Sequence, residues 1–129
     1  MNVDFSGKDL NGADFENCKF YHCTFDNASL VNCNLQNALF SNCSLYNATA
    51  EEAELQNARF FSCNLAKAFF THSNFKEAVL KSCQTTSSSF MNCCIENIAL
   101  EETDLPNDEM FNSELDWIKN DIPDFEPNM

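Results

Sequence analysis

From Phe5 to Leu105 every fifth residue follows one pattern, and the register never slips. Of these 21 positions nine are Leu and nine are Phe, and only Ala50, Thr85 and Ile95 depart from the rule. Two residues before each beat stands a small side chain, as in Ala28-Ser29-Leu30 and Cys33-Asn34-Leu35, with Lys8 and Ile98 as the exceptions. Two inward residues flanking one outward residue is strand alternation. The next inward pair begins three residues later, so a straight strand cannot continue and the chain must turn a corner every five residues. A fixed short period of this kind specifies a solenoid.

The small positions indicate how many sides each coil has. From Cys23 to Cys43 they alternate Cys and Ala, and the alternation resumes at Ala58, Cys63 and Ala68. If stacked positions prefer like residues, a ten-residue period requires an even number of sides, and two sides enclose no core. Four sides fit. Coils of 20 residues then stack Cys23, Cys43, Cys63 and Cys83 in one column and Asn17, Asn37, Asn57 and Asn97 at one corner, where side-chain amides could ladder. A duplication would leave the same alternation, so it supports four sides without proving them. One core column would hold Phe20, Phe40, Phe60, Leu80 and Leu100, and another Phe15, Leu35, Leu55, Phe75 and Ile95. The polar run from Gln84 to Ser89 is expected to distort one side, and Lys8 is tolerable only if the first coil is exposed.

Segments such as Ala13-Asp14-Phe15-Glu16-Asn17 and Cys63-Asn64-Leu65-Ala66-Lys67 resemble the pentapeptide-repeat family, whose consensus is A(D/N)LXX. The match runs over residues 3 to 105. It implies an all-β fold, the right-handed quadrilateral parallel β-helix, here about five coils of four repeats. It implies no activity, because members of the family share no catalytic residues. Residues 1–105 are thus read as the repeat β-helix and 106–129 as a separate acidic tail.

Composition narrows the function. Seven Lys and Arg stand against 20 Asp and Glu, a net charge of −13, which opposes direct binding to nucleic-acid phosphates. No apolar run approaches the roughly 20 residues of a membrane span, and no basic and apolar leader is visible after Met1, so a cytoplasmic location is expected. Seven of the eight cysteines fall in the small position, where free Cys serves as a small buried hydrophobe. Neither disulfides nor zinc are therefore expected, since the ligand spacings of structural zinc sites are missing. Cys94 alone lies off the register and should face outward. His22 and His72 fall on different corners, as do the acid clusters Glu51-Glu52-Glu54 and Glu101-Glu102-Asp104. A solid Leu/Phe interior leaves no substrate cavity. The chain reads as no enzyme, with no catalytic residues, no cofactor and no metal.

Sorting the outward residues onto four sides gives one lead. Lys19, Tyr21, Leu39, Arg59, Phe61, Val79 and Lys81 share a side that carries no acid before Glu101. Aromatic, apolar and basic residues together are the usual anchors of an interface. This side is the candidate surface for a protein partner. Beyond Leu105, the segment from Asp108 to Asn120 places Phe111, Leu115 and Ile118 at helical spacing, beside Met110 and Trp117. Acids in its first turn and Pro123 beyond its end suit a short C-terminal helix. That helix would cap the open end of the solenoid, or meet a second copy in a homodimer through one end. The expected function is a non-catalytic scaffold for protein–protein interaction. The alternative comes from relatives within the family: an acidic rod that imitates DNA, binds a gyrase-type topoisomerase and protects it against quinolones.

Overall fold

The computed structural model describes residues 2–106. Five three-residue strands carry one side of the molecule: β1 (Lys19–Tyr21), β2 (Leu39–Ser41), β3 (Arg59–Phe61), β4 (Val79–Lys81) and β5 (Ala99–Glu101). They pair in parallel in the order β1-β2-β3-β4-β5. The register advances by 20 residues per step, so Phe20, Phe40, Phe60, Leu80 and Leu100 form one column. Single parallel bridges with the same step hold the other three sides. The first joins Asp4, Thr24, Ser44, Asn64 and Gln84; the second Asp9, Ser29, Thr49, Phe69 and Ser89; the third Asp14, Asn34, Glu54, Asn74 and Cys94. The four-sided parallel β-helix expected from the period is the fold.

The corners explain the rest of the repeat. Two residues after every beat φ is positive, at Gly7, Gly12 and each fifth residue through Glu102. At three corners of each coil the amide of the next small residue closes a turn on the beat's carbonyl, as from Lys8 to Phe5 and from Ala13 to Leu10 (both 3.0 Å), except after Ala50, where the Ser73 hydroxyl accepts from the Ala53 amide and donates to the Ala50 carbonyl. Half of the 18 non-glycine residues in this left-handed conformation are Asn, which enters that region at least cost among side-chain-bearing residues. The column of Asn17, Asn37, Asn57 and Asn97 is thus set by the backbone (φ 59 to 66°), and the side-chain amide contact runs instead from Asn47 to Asn27 (2.7 Å) at the opposite corner.

Each turn also leaves the amide after the beat without a backbone acceptor in its own turn, and at six of the turns an Asp or Asn just before the beat meets that need. The Ser6, Asn11 and Glu16 amides donate to the Oδ1 atoms of Asp4, Asp9 and Asp14 (2.9 to 3.1 Å). Gln36, Ala66 and Lys76 donate likewise to Asn34, Asn64 and Asn74. The acid or amide preceding the beat is therefore a local Asx cap.

Glu77 interrupts the asparagine column with φ of 60°. Glu77→Asn is expected to raise stability by about 0.5–1 kcal/mol by relieving left-handed strain. A rise in the urea midpoint at unchanged m-value checks this, and an unchanged midpoint counts against it.

Inside, the rings of Phe40 and Phe60 stack at 4.6 Å and those of Phe20 and Phe40 at 5.0 Å. Phe5 stacks on Phe25 and Phe70 on Phe90 in other columns. The run from Gln84 to Ser89 keeps its register, contrary to expectation. Gln84 and Ser89 bridge to Asn64 and Phe69, and the Ser88 amide closes the usual turn on Thr85. Its polar side chains find partners within the core: Thr85 donates to the Asp104 carbonyl and Ser88 to that of Thr85. At the first coil Phe5, Leu10 and Phe15 are only partly buried and Lys8 is exposed, which is how a lysine is accommodated in a small position. The segment from Asp108 to Asn120, with Met110, Phe111, Leu115, Trp117 and Ile118, lies outside the described residues.

Candidate functional site

The strand side gathers all seven residues of the candidate surface. Lys19, Leu39, Arg59 and Val79 form one outward column, and Tyr21, Ser41, Phe61 and Lys81 a second beside it. Three-residue strands rather than single bridges make this the most extended side of the solenoid. Inward and outward residues alternate across each strand, so Phe20, Phe40 and Phe60 are buried while their neighbours face out. Tyr21 is 40% exposed, and Leu39, Phe61 and Val79 are half-buried. Lys19 and Arg59 are exposed, and Lys81 pairs with Glu101 at 4.0 Å where the side ends. The face offers an apolar strip flanked by cations, which suits an acidic, partly apolar protein surface.

A second apolar area escaped the sequence reading. Phe69 (43% exposed) and Met91 (44%) lie on the side bridged through Asp9 and Ser29. The signal was present in Ala68-Phe69-Phe70, where an outward Phe is masked by the beat beside it. Nearby, the Lys67 ammonium sits 5.7 Å from the centre of the Tyr46 ring, a cation–π contact.

A groove of about 520 Å³ runs along the corner that follows the strand side, lined by Cys23, Cys43 and Cys63 with His22, Asn42 and Ser62. Here the chain stays extended one residue longer, and thiols take the place of the turn. The Cys43, Cys63 and Cys83 thiols donate to the carbonyls of Phe20, Phe40 and Phe60 in the coil below, each at 3.3 Å. The Cys23 and Cys43 amides hydrogen-bond in turn to the Cys43 and Cys63 sulfurs. Thr103 ends the column in the same role, accepting from the Cys83 amide at 3.0 Å. The sulfurs act on one another: the Cys43 and Cys83 side chains, and then burial, push the Cys63 thiol up. The Cys63 side chain in turn holds Cys43 down at about 7 and lowers Cys83. Burial raises Cys33, whose thiol donates to the Leu10 carbonyl at 3.0 Å. All eight cysteines are unbridged, and Cys94 occupies an outward, half-buried position.

His22 and His72 stand exposed on separate corners. Among the described residues no group of three or more His, Cys, Asp or Glu is disposed to hold a metal ion, and no helix is long and apolar enough to cross a membrane.

No curated protein matches the chain. Among solved structures, a pentapeptide repeat protein from the thylakoid lumen of Arabidopsis thaliana superposes with a TM-score of 0.69 at 24% identity, over 91% of this chain and 75% of its own. HetL, a pentapeptide repeat protein involved in heterocyst differentiation regulation from Nostoc sp. strain PCC 7120, aligns at 14% identity and a TM-score of 0.38, over 80% of this chain and 55% of its own. QnrB1, a plasmid-mediated fluoroquinolone resistance protein, aligns at 18% identity and a TM-score of 0.28, over 92% of this chain and 85% of its own. The family model for pentapeptide repeats (8 copies) matches residues 1–37, and that for the pentapeptide repeat region matches residues 36–111. The 20-residue register, the left-handed corners and these matches agree: the chain belongs to the pentapeptide repeat family.

Proposed function

We propose that the protein is a non-catalytic scaffold that presents its strand side to a protein partner. The observation that carries this reading is the in-register pairing of β1 to β4. It sets Tyr21, Leu39, Phe61 and Val79 beside Lys19, Arg59 and Lys81 on one side of a chain whose net charge is −13. Aromatic side chains on a rigid face require little ordering on binding, so most of their contact energy is retained.

The triple variant Leu39→Glu, Phe61→Glu, Val79→Glu tests the surface. These side chains point away from the core, so the circular dichroism spectrum should not change. Proteins from the native host cross-linked specifically to the wild-type chain should bind the variant more weakly by about a hundredfold, the loss of two anchor residues. Equal cross-linking by the two proteins would remove this side as the interface.

The second reading, a DNA-like rod directed at a gyrase-type topoisomerase, rests on the acidic charge. Residues 2–106 hold 13 acids against 6 bases. A comparable ~25 Å of B-DNA carries roughly 15 phosphate charges, so the body is less than half as dense in charge. Protection of gyrase supercoiling from a fluoroquinolone at micromolar protein would favour this reading, and absence of protection leaves the scaffold.

A further inference from the structure

The thiol column does more than the packing of the repeat requires. Alanine fills the equivalent small position at 38, 58 and 78, where it is fully buried. At the groove corner four cysteines follow one another at successive coils, at residues 23, 43, 63 and 83. Successive parallel coils lie about 4.8 Å apart, so side chains at the same register position repeat at about that spacing. Two metal–sulfur bonds of about 2.3 Å placed end to end span about 4.6 Å. The column is therefore spaced for a two-coordinate ion lying along the solenoid axis between consecutive sulfurs. Sites of three or more ligands are absent among the described residues, which removes the tetrahedral arrangement zinc prefers. Thiolate pairs select soft ions, Cu(I) among those of biology. The groove beside Cys23, Cys43 and Cys63 supplies a route from solvent.

We propose that the column of Cys23, Cys43, Cys63 and Cys83 is a binding site for Cu(I), held linearly between thiolates of adjacent coils. Binding one ion to a pair releases two thiol protons to solvent and forms two sulfur–metal bonds, with no change of oxidation state. The complex carries one negative charge, and the Cys23 and Cys43 amides directed at the sulfurs above them already hydrogen-bond the atoms that would bear it. The same thiols give up their bonds to the Phe20 and Phe40 carbonyls, so binding competes with the apo hydrogen bonds.

The test is anaerobic titration of the full reduced chain with Cu(I) held by bicinchoninate, read by loss of the chelator's colour and by native mass. The wild-type chain should withdraw at least one Cu(I) from the chelator. The double variant Cys43→Ser, Cys63→Ser separates Cys23 from Cys83 by three coils, and its Cu(I) affinity should fall more than about a hundredfold. Serine keeps a donor toward the Phe20 and Phe40 carbonyls. Should it nevertheless fail to fold, Cys43→Ala, Cys63→Ala places at this corner the residue that fills 38 and 58. The control Cys33→Ser, Cys93→Ser removes two thiols from a different column and should bind as the wild type does. Retention of Cu(I) by the 43/63 variant, equal loss in the control, or no transfer to the wild-type chain would each overturn the proposal.

Discussion

Phe60→Ala is expected to lower the stability of the solenoid by about 3–5 kcal/mol, the range for deleting a fully buried aromatic ring. Phe60 is 0% exposed, its ring lies parallel to that of Phe40 at 4.6 Å, and Phe75 approaches from the adjacent side at 6.5 Å. The ring fills space shared by the coil below, through Phe40, and the coil above, through Leu80. In a solenoid each repeat is held mainly by its neighbours, so one central truncation weakens two interfaces at once. A domain of this size has about 5–15 kcal/mol in all, and the change removes a large part of it. Urea unfolding of Phe60→Ala beside Tyr21→Ala is the measurement. The two delete similar rings, but Tyr21 is 40% exposed, and its loss should cost under about 1 kcal/mol. Comparable shifts in the two variants would show that the ring column is not the main source of stability.

Ala58→Leu should be nearly as damaging for the opposite reason. Ala58 stands between Ala38 and Ala78 in one column, and all three are fully buried. The small position lies beside a corner where the chain bends, and the coils above and below approach at about 4.8 Å. Three additional carbons have no free volume there. They must displace the backbone, at a cost of about 1–3 kcal/mol or more. Ala58→Cys, which places there the residue found at 43 and 63, should cost much less. Thermal midpoints of the two variants give the comparison, and equal loss would mean that size does not govern this position.

Both predictions rest on features legible before the structure. The beat gave the four columns of the core, and the structure realises them with Phe20 under Phe40 and Phe15 under Leu35. Lys8 was readable as a residue of an exposed first coil. The acid or amide before the beat belongs to the consensus, but its work as a cap for the corner amide shows only in the folded chain. Nothing in a one-dimensional pattern tells which amides the turns leave unsatisfied. The polar run around Thr85 shows the converse. Hydroxyls in a Leu/Phe register suggested distortion, yet Thr85 and Ser88 bond to nearby carbonyls and the coil stays regular.

The candidate surface was legible to the same degree. Alternation and the 20-residue step sorted Lys19, Tyr21, Leu39, Arg59, Phe61, Val79 and Lys81 onto one side, where the strand register places them. The exposure of Phe69 and Met91 is not legible in the period, because exposure is a property of the assembled surface. The cysteines were read as fillers of a small position. That they form a hydrogen-bonded column follows from one corner differing from the other three, a difference the uniform five-residue period does not display.

By itself the sequence determined the period and which residues face the core, and it favoured four sides, because burial of one apolar side chain per five residues admits few closed shapes. Only the tertiary structure decided that one side is built of paired strands, that its following corner is closed by thiols, and which outward residues meet. Those outcomes depend on hydrogen bonds between coils 20 residues apart, and such bonds are set by how the stacked backbone satisfies its polar groups once the core has closed.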